Sequence, residues 1–152
     1  MTFSEEELEE KNKQVARQFY DAFKRHDPVG MSQLVSSNAS YTFHFVGMPA
    51  TDWKGRKQFI TNVVKTFPDI DHHILDVVAA GDKVALRLNI TGTHKGQFQD
   101  IPATGKKISV GCVNFLSIID SKIIEEWSNS DMMGLMQQIG AIPALSPAVN
   151  TD

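Results

Sequence analysis

Residues 108–130 read ISVGCVNFLSIIDSKIIEEWSNS, two runs rich in apolar and β-branched residues on either side of a tight polar turn. This pattern predicts a β-hairpin that turns at Asp120-Ser121. Two earlier segments have the same character and turn at Gly81-Asp82. Because short connections join antiparallel neighbours, we expect a four-stranded meander. The predicted strands are residues 73–79, 83–94, 106–119 and 122–129.

The N-terminal segment has helical rather than strand periodicity. Ser4 and Glu7 have the spacing of a capping box, and apolar residues recur every three or four positions after them. The pattern predicts a long amphipathic helix over 5–25. Asp27 followed by Pro28 is typical of the start of a second, shorter helix.

A predicted strand over 41–46 and a third helix separate these helices from the meander. The third helix begins near Arg56 and ends at Pro68, because proline disfavours helical geometry in the residue before it. The order of elements predicts an α+β fold, a cone-shaped, curved antiparallel sheet with three helices packed over it and a cavity between the layers. We expect one domain over 1–145 and a loose C-terminal tail over 146–152.

Composition excludes several classes of protein. The 152 residues are 41% hydrophobic and 22% charged with a net charge of -3, as in an ordinary globular protein without the broad basic surface that nucleic-acid binding requires. No run approaches the roughly 18 apolar residues of a membrane span, and the N-terminus lacks the features of a secretory signal. We therefore expect no nucleic-acid or membrane partner and a cytoplasmic location.

The residue types that bind metals are sparse. Cys112 is the only cysteine, so neither an intramolecular disulfide nor a cysteine-based metal cluster can form. His72 and His73 are adjacent, so on a strand they face opposite sides and cannot chelate one metal in the usual way. The sequence predicts no metal site, and we expect His72 to be exposed.

A set of short motifs runs through the chain in a fixed order. They are Trp53-x-Gly55, Phe67-Pro68-Asp69, Gly81-Asp82, GTHKG at 92–96, PATGK at 102–106, Lys122-Ile123, Glu126-Trp127 and Asp131-x-x-Gly134-x-x-x-Gln138-x-Gly140. On these motifs the chain resembles the SnoaL-like polyketide cyclase or ester cyclase family, within the nuclear-transport-factor-2-like superfamily. The resemblance implies a pocket for a hydrophobic, oxygenated small molecule, no metal or organic cofactor, and a homodimer formed through the sheet. It does not imply one reaction, because this fold serves many functions.

The resemblance also assigns two positions in the pocket. In polyketide cyclases an aspartate on the last strand is the general acid/base, and a histidine on the preceding strand assists it. Aligned without gaps, this sequence has Ser128 at the place of the aspartate and Asn114 at the place of the histidine. A serine without an adjacent base does not transfer protons near neutral pH as a carboxylate does. Both positions depart from the cyclase pattern.

Two titratable residues are candidates for replacing that acid/base. His44 lies mid-strand between Phe43 and Phe45 and points opposite to both; if its face lines the cavity, it can exchange protons near pH 7. The alternative is a histidine held by backbone hydrogen bonds or exposed. Asp131 stands at the predicted cavity mouth and could act as a base; alternatively it caps a short final helix over 131–139.

Three further residues are candidates for binding a substrate oxygen or walling the pocket. Arg87 lies on the polar phase of its strand and could hold a carbonyl or carboxylate, or be solvated or salt-bridged. Trp127 could turn inward at a bulge to wall the pocket, or pack in the core or an interface. His94, in GTHKG, is expected to make a loop contact.

Strand phase and the alignment together predict the layout of the site. Glu126 shares its phase with Ser128, and the alignment places Ser128 inward, so both are candidates for binding the substrate. We expect His44, Asn114 and Ser128 to converge on one cavity.

Two functions follow from these candidates. One is proton transfer by His44 or Asp131, with Arg87 and Asn114 polarising an oxygen; the other is ligand binding without catalysis. A homodimer is expected in either case, because the segment 108–119 is apolar on both faces.

Overall fold

The computed structural model describes residues 2–144, so the predicted tail over 146–152 lies outside the described residues. Helices and strands follow one another in the predicted order. The helices are α1 (Glu5–Lys24), α2 (Pro28–Gln33), α3 (Trp53–Thr66) and α4 (Met132–Gln138). The strands are β1 (Thr42–Phe45), β2 (Asp71–Ala80), β3 (Lys83–Thr93), β4 (Lys107–Ile119) and β5 (Lys122–Ser130).

The five strands form one curved sheet in the order β1-β5-β4-β3-β2. The predicted antiparallel meander of β2 to β5 is confirmed. The structure differs from the expected all-antiparallel sheet in one respect, since β1 pairs with β5 in parallel. The long connection through α3 and the other strands permits this pairing, because parallel neighbours need a crossover rather than a tight turn.

Side-chain caps set the helix starts. Ser4 Oγ accepts from Glu7 N at 3.2 Å and Glu7 Oε2 accepts from Ser4 N at 3.0 Å, which confirms the capping box of α1. Helix α3 begins at Trp53, three residues before the predicted start, because Asp52 Oδ1 accepts from Gly55 N at 2.9 Å and caps it.

The core lies between the inner face of the sheet and the helices. Inward residues of β3 and β4 alternate with outward ones, as the period of two requires. The most completely buried apolar side chains include Phe19 of α1, Met31 of α2, and Val84, Leu86, Leu88, Leu116 and Ile118 of the sheet. Helix α1 is also tied to the β2–β3 turn, since Asn12 Nδ2 donates to the Gly81 carbonyl at 3.2 Å.

No helix in residues 2–144 combines the length and the apolar character that crossing a bilayer requires.

Candidate functional site

A cavity of about 470 Å³ opens between the inner face of the sheet, α3, α4 and the loop that joins β3 to β4. Its walls are mainly aromatic and aliphatic. Six phenylalanines from five different parts of the chain border it: Phe23, Phe43, Phe45, Phe59, Phe67 and Phe98. A volume of this size suits a small organic ligand, and apolar walls with few polar groups are the usual form of such a site.

The loop that borders the cavity is clamped to the end of α3. The backbone N–H groups of Lys95 and Gly96 both donate to the Thr66 carbonyl at 3.0 Å. A Cβ on Gly96 would lie 2.1 Å from the Lys65 carbonyl oxygen, so only glycine permits this approach. The clamp holds the following residues, including Phe98, at the cavity edge.

Polar side chains from β4 and β5 are gathered on one part of the cavity wall. Asn114 and Ser128 are directly paired across the two strands, and both are buried and border the cavity. Cys112 lies between them; its Sγ donates to Asn114 Oδ1 at 3.1 Å and lies 3.7 Å from Ser128 Oγ. Asn114 Nδ2 donates to the hydroxyl of Tyr20. The alignment predicted that Asn114 and Ser128 face the cavity, and in the structure both residues lie side by side on the cavity wall.

Cys112 is not an activated nucleophile in this setting. Burial raises the pKa of its thiol above the ordinary value, and the hydroxyl of Ser130, which donates to Sγ at 3.3 Å, does not reverse that effect. The thiolate is the reactive form of cysteine, so a raised pKa makes the side chain less reactive. Cys112 therefore acts as a hydrogen-bonding part of the wall.

A buried ion pair stands beside this cluster. Arg56 of α3 donates through Nε and Nη2 to the two oxygens of Glu126 at 3.1 and 2.9 Å, and Tyr41 donates to the same carboxylate at 2.7 Å. Arg56 is 4% exposed and Glu126 is 0% exposed. The guanidinium also lies 4.2 Å from the ring centroid of Phe43, within cation–π range. Of the pair, Arg56 borders the cavity and Glu126 does not, so the expectation that Glu126 binds the substrate is wrong: its carboxylate is taken up by Arg56 and Tyr41.

His72 borders the cavity as well, which contradicts the expectation that it is exposed. Its ring packs against Phe23 and Tyr20, with centroid distances of 4.6 and 5.4 Å. Burial and the nearby positive charge of Arg56 lower the pKa of His72 to about 3. The imidazole is therefore neutral at physiological pH.

The expectation that His44 points into the cavity is wrong. Its ring stacks on Trp127 at 3.7 Å with an interplanar angle of 7°, and its Nε2 lies 3.3 Å from Glu125 Oε2. Trp127 is 49% exposed on the outer face of the sheet. The reason is that Phe43 and Phe45 take the inner face of β1, where both contact Phe59. Trp127 likewise does not turn inward to wall the pocket.

Arg87 also lies away from the cavity. It forms a salt bridge with Asp76 on the outer face, where Nη2 lies 2.6 Å from Asp76 Oδ2 and both side chains are more than half exposed. A role in holding a substrate inside the cavity is therefore excluded for Arg87. His94 is fully buried and makes the expected loop contact, since its Nδ1 lies 2.9 Å from Thr104 Oγ1.

Asp131 borders the cavity and caps α4 at the same time. Its Oδ1 accepts from Gly134 N at 2.8 Å, and its Oδ2 accepts no hydrogen bond from the described residues. Among the predicted acid/base candidates, Asp131 is the one that the structure places at the cavity.

Sequence reasoning missed Arg56, His72 and Tyr41, although two of them left a signal. Arg56 precedes Phe59, Ile60 and Val63 by three, four and seven residues. This spacing places its charged side chain on the apolar face of α3. His72 alternates with Ile70 and Ile74, which places it on the apolar phase of β2.

The family comparison agrees with this architecture. Residues 13–139 match the family model for SnoaL-like polyketide cyclase. The chain belongs to that family. No curated protein sequence matches it significantly.

Several solved structures superpose over most of the chain. AclR from Streptomyces galilaeus, a provisionally assigned hydroxylase, is 25% identical with a TM-score of 0.81 and covers 90% of this chain and 85% of its own. A provisionally assigned polyketide cyclase from Bacillus cereus ATCC 10987 is 31% identical with a TM-score of 0.72, covering 92% and 87%. IdmH from Streptomyces antibioticus, another provisionally assigned polyketide cyclase, is 25% identical with a TM-score of 0.77, covering 85% and 98%.

Proposed function

We propose that this SnoaL-like protein binds a hydrophobic, oxygenated small molecule in the cavity. The observation that carries the proposal is the division of the cavity wall into a large apolar part built from phenylalanines and a compact polar part at Asn114 and Ser128. The apolar part favours a ring system, and the polar part offers hydrogen bonds to a carbonyl or hydroxyl oxygen. Such a division orients a ligand as well as binding it.

Binding is tested with a neutral aromatic ketone, 2-acetylnaphthalene, by calorimetry and thermal shift. Ser128→Val removes the hydroxyl while keeping a side chain that strands accept. We expect a loss of about 1 kcal/mol of binding free energy, roughly fivefold in Kd. The control is Asn129→Val, the next residue on the exposed outer face of β5, which should leave Kd unchanged. Equal effects of the two variants, or no binding to the native protein, contradict the proposal.

A second candidate function is proton transfer without a cofactor, and the position of Asp131 favours it. Asp131 Oδ2 accepts no hydrogen bond from the described residues and is available to take a proton from the carbon next to a ligand carbonyl. Similar structures are described as a hydroxylase and as a polyketide cyclase, so the candidate function is the proton-transfer step and not one overall reaction.

Hydrogen–deuterium exchange separates the two candidates. In D2O, a base at the cavity removes a proton from the methyl group of 2-acetylnaphthalene and a deuteron replaces it, which NMR detects. Asp131→Asn keeps a good helix cap but loses the base. If Asp131 is the base, exchange slows by about 100-fold or more while Kd stays the same. Binding without exchange in the native protein favours a purely binding function.

We also propose that the protein forms a homodimer through the outer face of the sheet. The register Ala85–Phe115–Trp127–His44 runs across four strands, and Phe115 and Trp127 are each 49% exposed. Exposed apolar surface in one continuous row is typical of a protein–protein interface. Light scattering should give twice the chain mass at micromolar concentration, and Trp127→Arg should give monomers. A native monomer under these conditions contradicts the proposal.

A further inference from the structure

The groups at the cavity that can carry charge fall into two sets. Among the described lining residues, Lys65 and Asp131 are exposed at the edge, where water screens them, whereas Arg56 and His72 belong to the interior. The interior set decides which ligands can be buried, because electrostatic effects are strongest where water is excluded.

Arg56 brings no free positive charge to the interior. Two of its nitrogens donate to Glu126, and the pair is joined by the Tyr41 hydroxyl, so the carboxylate already compensates the guanidinium. The remaining nitrogen, Nη1, donates to none of the described residues, and Arg56 is one of the residues that line the cavity. Arg56 can therefore donate a hydrogen bond to a ligand, while the carboxylate of Glu126 compensates its positive charge.

His72 adds no charge either. Its ring packs between Tyr20 and Phe23, and its pKa of about 3 keeps it neutral. The amide and hydroxyl groups of the wall, among them Asn114 and Ser128, are uncharged, and burial raises the pKa of the Cys112 thiol, which keeps it in the neutral form. The interior of the cavity therefore has no net charge.

From this balance we infer that the cavity selects uncharged ligands over carboxylates, and that Glu126 sets this selectivity by neutralising Arg56 without touching the ligand. The inference rests on the proposed binding function. A carboxylate that enters must give up its hydration and meets an arginine already paired. A carbonyl or amide oxygen gives up much less and can still accept from Nη1 of Arg56.

Two probes of the same shape test the inference, naphthalene-2-carboxamide and naphthalene-2-carboxylate, measured by calorimetry at pH 7.5. We expect the native protein to bind the amide at least about tenfold more tightly. Lowering the pH toward the carboxyl pKa of the acid should strengthen binding of the acid alone, since its protonated form is uncharged. Tighter binding of the carboxylate overturns the inference. Binding of neither probe overturns the proposed binding function and the inference with it.

Variants of Glu126 test the assignment to that residue. Glu126→Gln leaves Arg56 unpaired, so the ratio of the two affinities should move toward the carboxylate by about tenfold or more. The matched control is Glu125→Gln, the neighbouring residue that faces His44 on the outer side, which should leave the ratio unchanged.

A double variant guards against loss of the fold. Arg56→Gln with Glu126→Gln removes both charges, and it should keep the preference for the amide. A folded Glu126→Gln protein with an unchanged ratio overturns the role of Glu126. If Glu126→Gln alone does not fold, the double variant decides, and its preference for the carboxylate would overturn that role.

Discussion

The two faces of β4 and β5 distribute polar and apolar side chains against the usual rule. The inner face buries Asn114, Glu126 and Ser128, whereas the outer face of the same strands exposes Phe115 and Trp127 to nearly half of their surface. Single exposed apolar residues are ordinary, but buried polar groups and continuous exposed apolar rows both require an explanation.

This difference indicates that the two faces of β4 and β5 make different kinds of contact, polar on the inner face and apolar on the outer face. On the inner face, each polar group has a partner, as in the Asn114–Tyr20 and Glu126–Arg56 hydrogen bonds, so their burial is tolerated. On the outer face, the apolar row has no cover from the described residues. Our proposals assign ligand binding to the inner face and contact with a second copy of the chain to the outer face.

The largest expected effect comes from the two arginine–carboxylate pairs, one on each face. Arg56→Met leaves Glu126 buried without its partner, and we expect a loss of about 3–5 kcal/mol in the free energy of unfolding. Arg87→Met breaks the exposed pair with Asp76 and should lose less than about 1 kcal/mol. Urea unfolding of both variants measures the difference. Similar losses would show that the inner pair is not buried as described.

An intermediate effect is expected from the two adjacent histidines of β2. His72 is neutral when folded because its pKa is about 3, whereas the unfolded chain takes up a proton below about pH 6.5. The unfolded state then binds more protons, so His72 should reduce stability by roughly 1.4 kcal/mol per pH unit as the pH falls below that value.

Replacing the histidines isolates this effect from the titration of carboxylates. His72→Gln should flatten the dependence of the urea midpoint on pH between 6.5 and 4.5. His73→Gln, on the exposed outer face of the same strand, should leave the native slope in place. The opposite pattern would place His73, and not His72, in the cavity.

The smallest effect belongs to Asp131, which borders both the cavity and a shallow groove on the outer face. Asp131→Ala removes the cap of α4 and should lower stability by about 1 kcal/mol. Asp131→Asn can cap equally well and should be close to neutral. Thermal unfolding of the two variants checks this, and a large loss in Asp131→Asn would mean that the charge stabilises the fold.

The meander and the inward phase of β5 could be predicted because they depend on local chemistry. Tight turns at Gly81-Asp82 and Asp120-Ser121 define the strand pairs, and one-residue alternation then fixes which side chains share a face. The family alignment selected the Ser128 face as the inner one.

The position of His44 could not be predicted in the same way, because alternation gives two faces without saying which is inside. In β1 the inner face is the one that carries Phe43 and Phe45. Burying these two rings against α3 stabilises the fold more than burying the single ring of His44 would. In β2 the alternation of His72 with Ile70 and Ile74 already indicated the inner face, and the register shift between Ile74 and Asp76 interrupts the alternation only beyond His72. The Arg56–Glu126 pair joins residues 70 positions apart, a separation that no local pattern specifies.

The chain has two tyrosines, and both hydroxyls belong to the buried hydrogen-bond network beside the cavity. Burial and the charge of Glu126 raise the pKa of Tyr20 and of Tyr41 well above the ordinary value. Above about pH 10, tyrosines ionise in the unfolded chain but not in the folded one, so alkali destabilises the native state. The ultraviolet absorbance of tyrosinate is therefore a built-in optical signal. During an alkaline titration, the tyrosinate absorbance should not increase while the protein is folded. It should increase for both tyrosines together when the packing around the Arg56–Glu126 pair is lost.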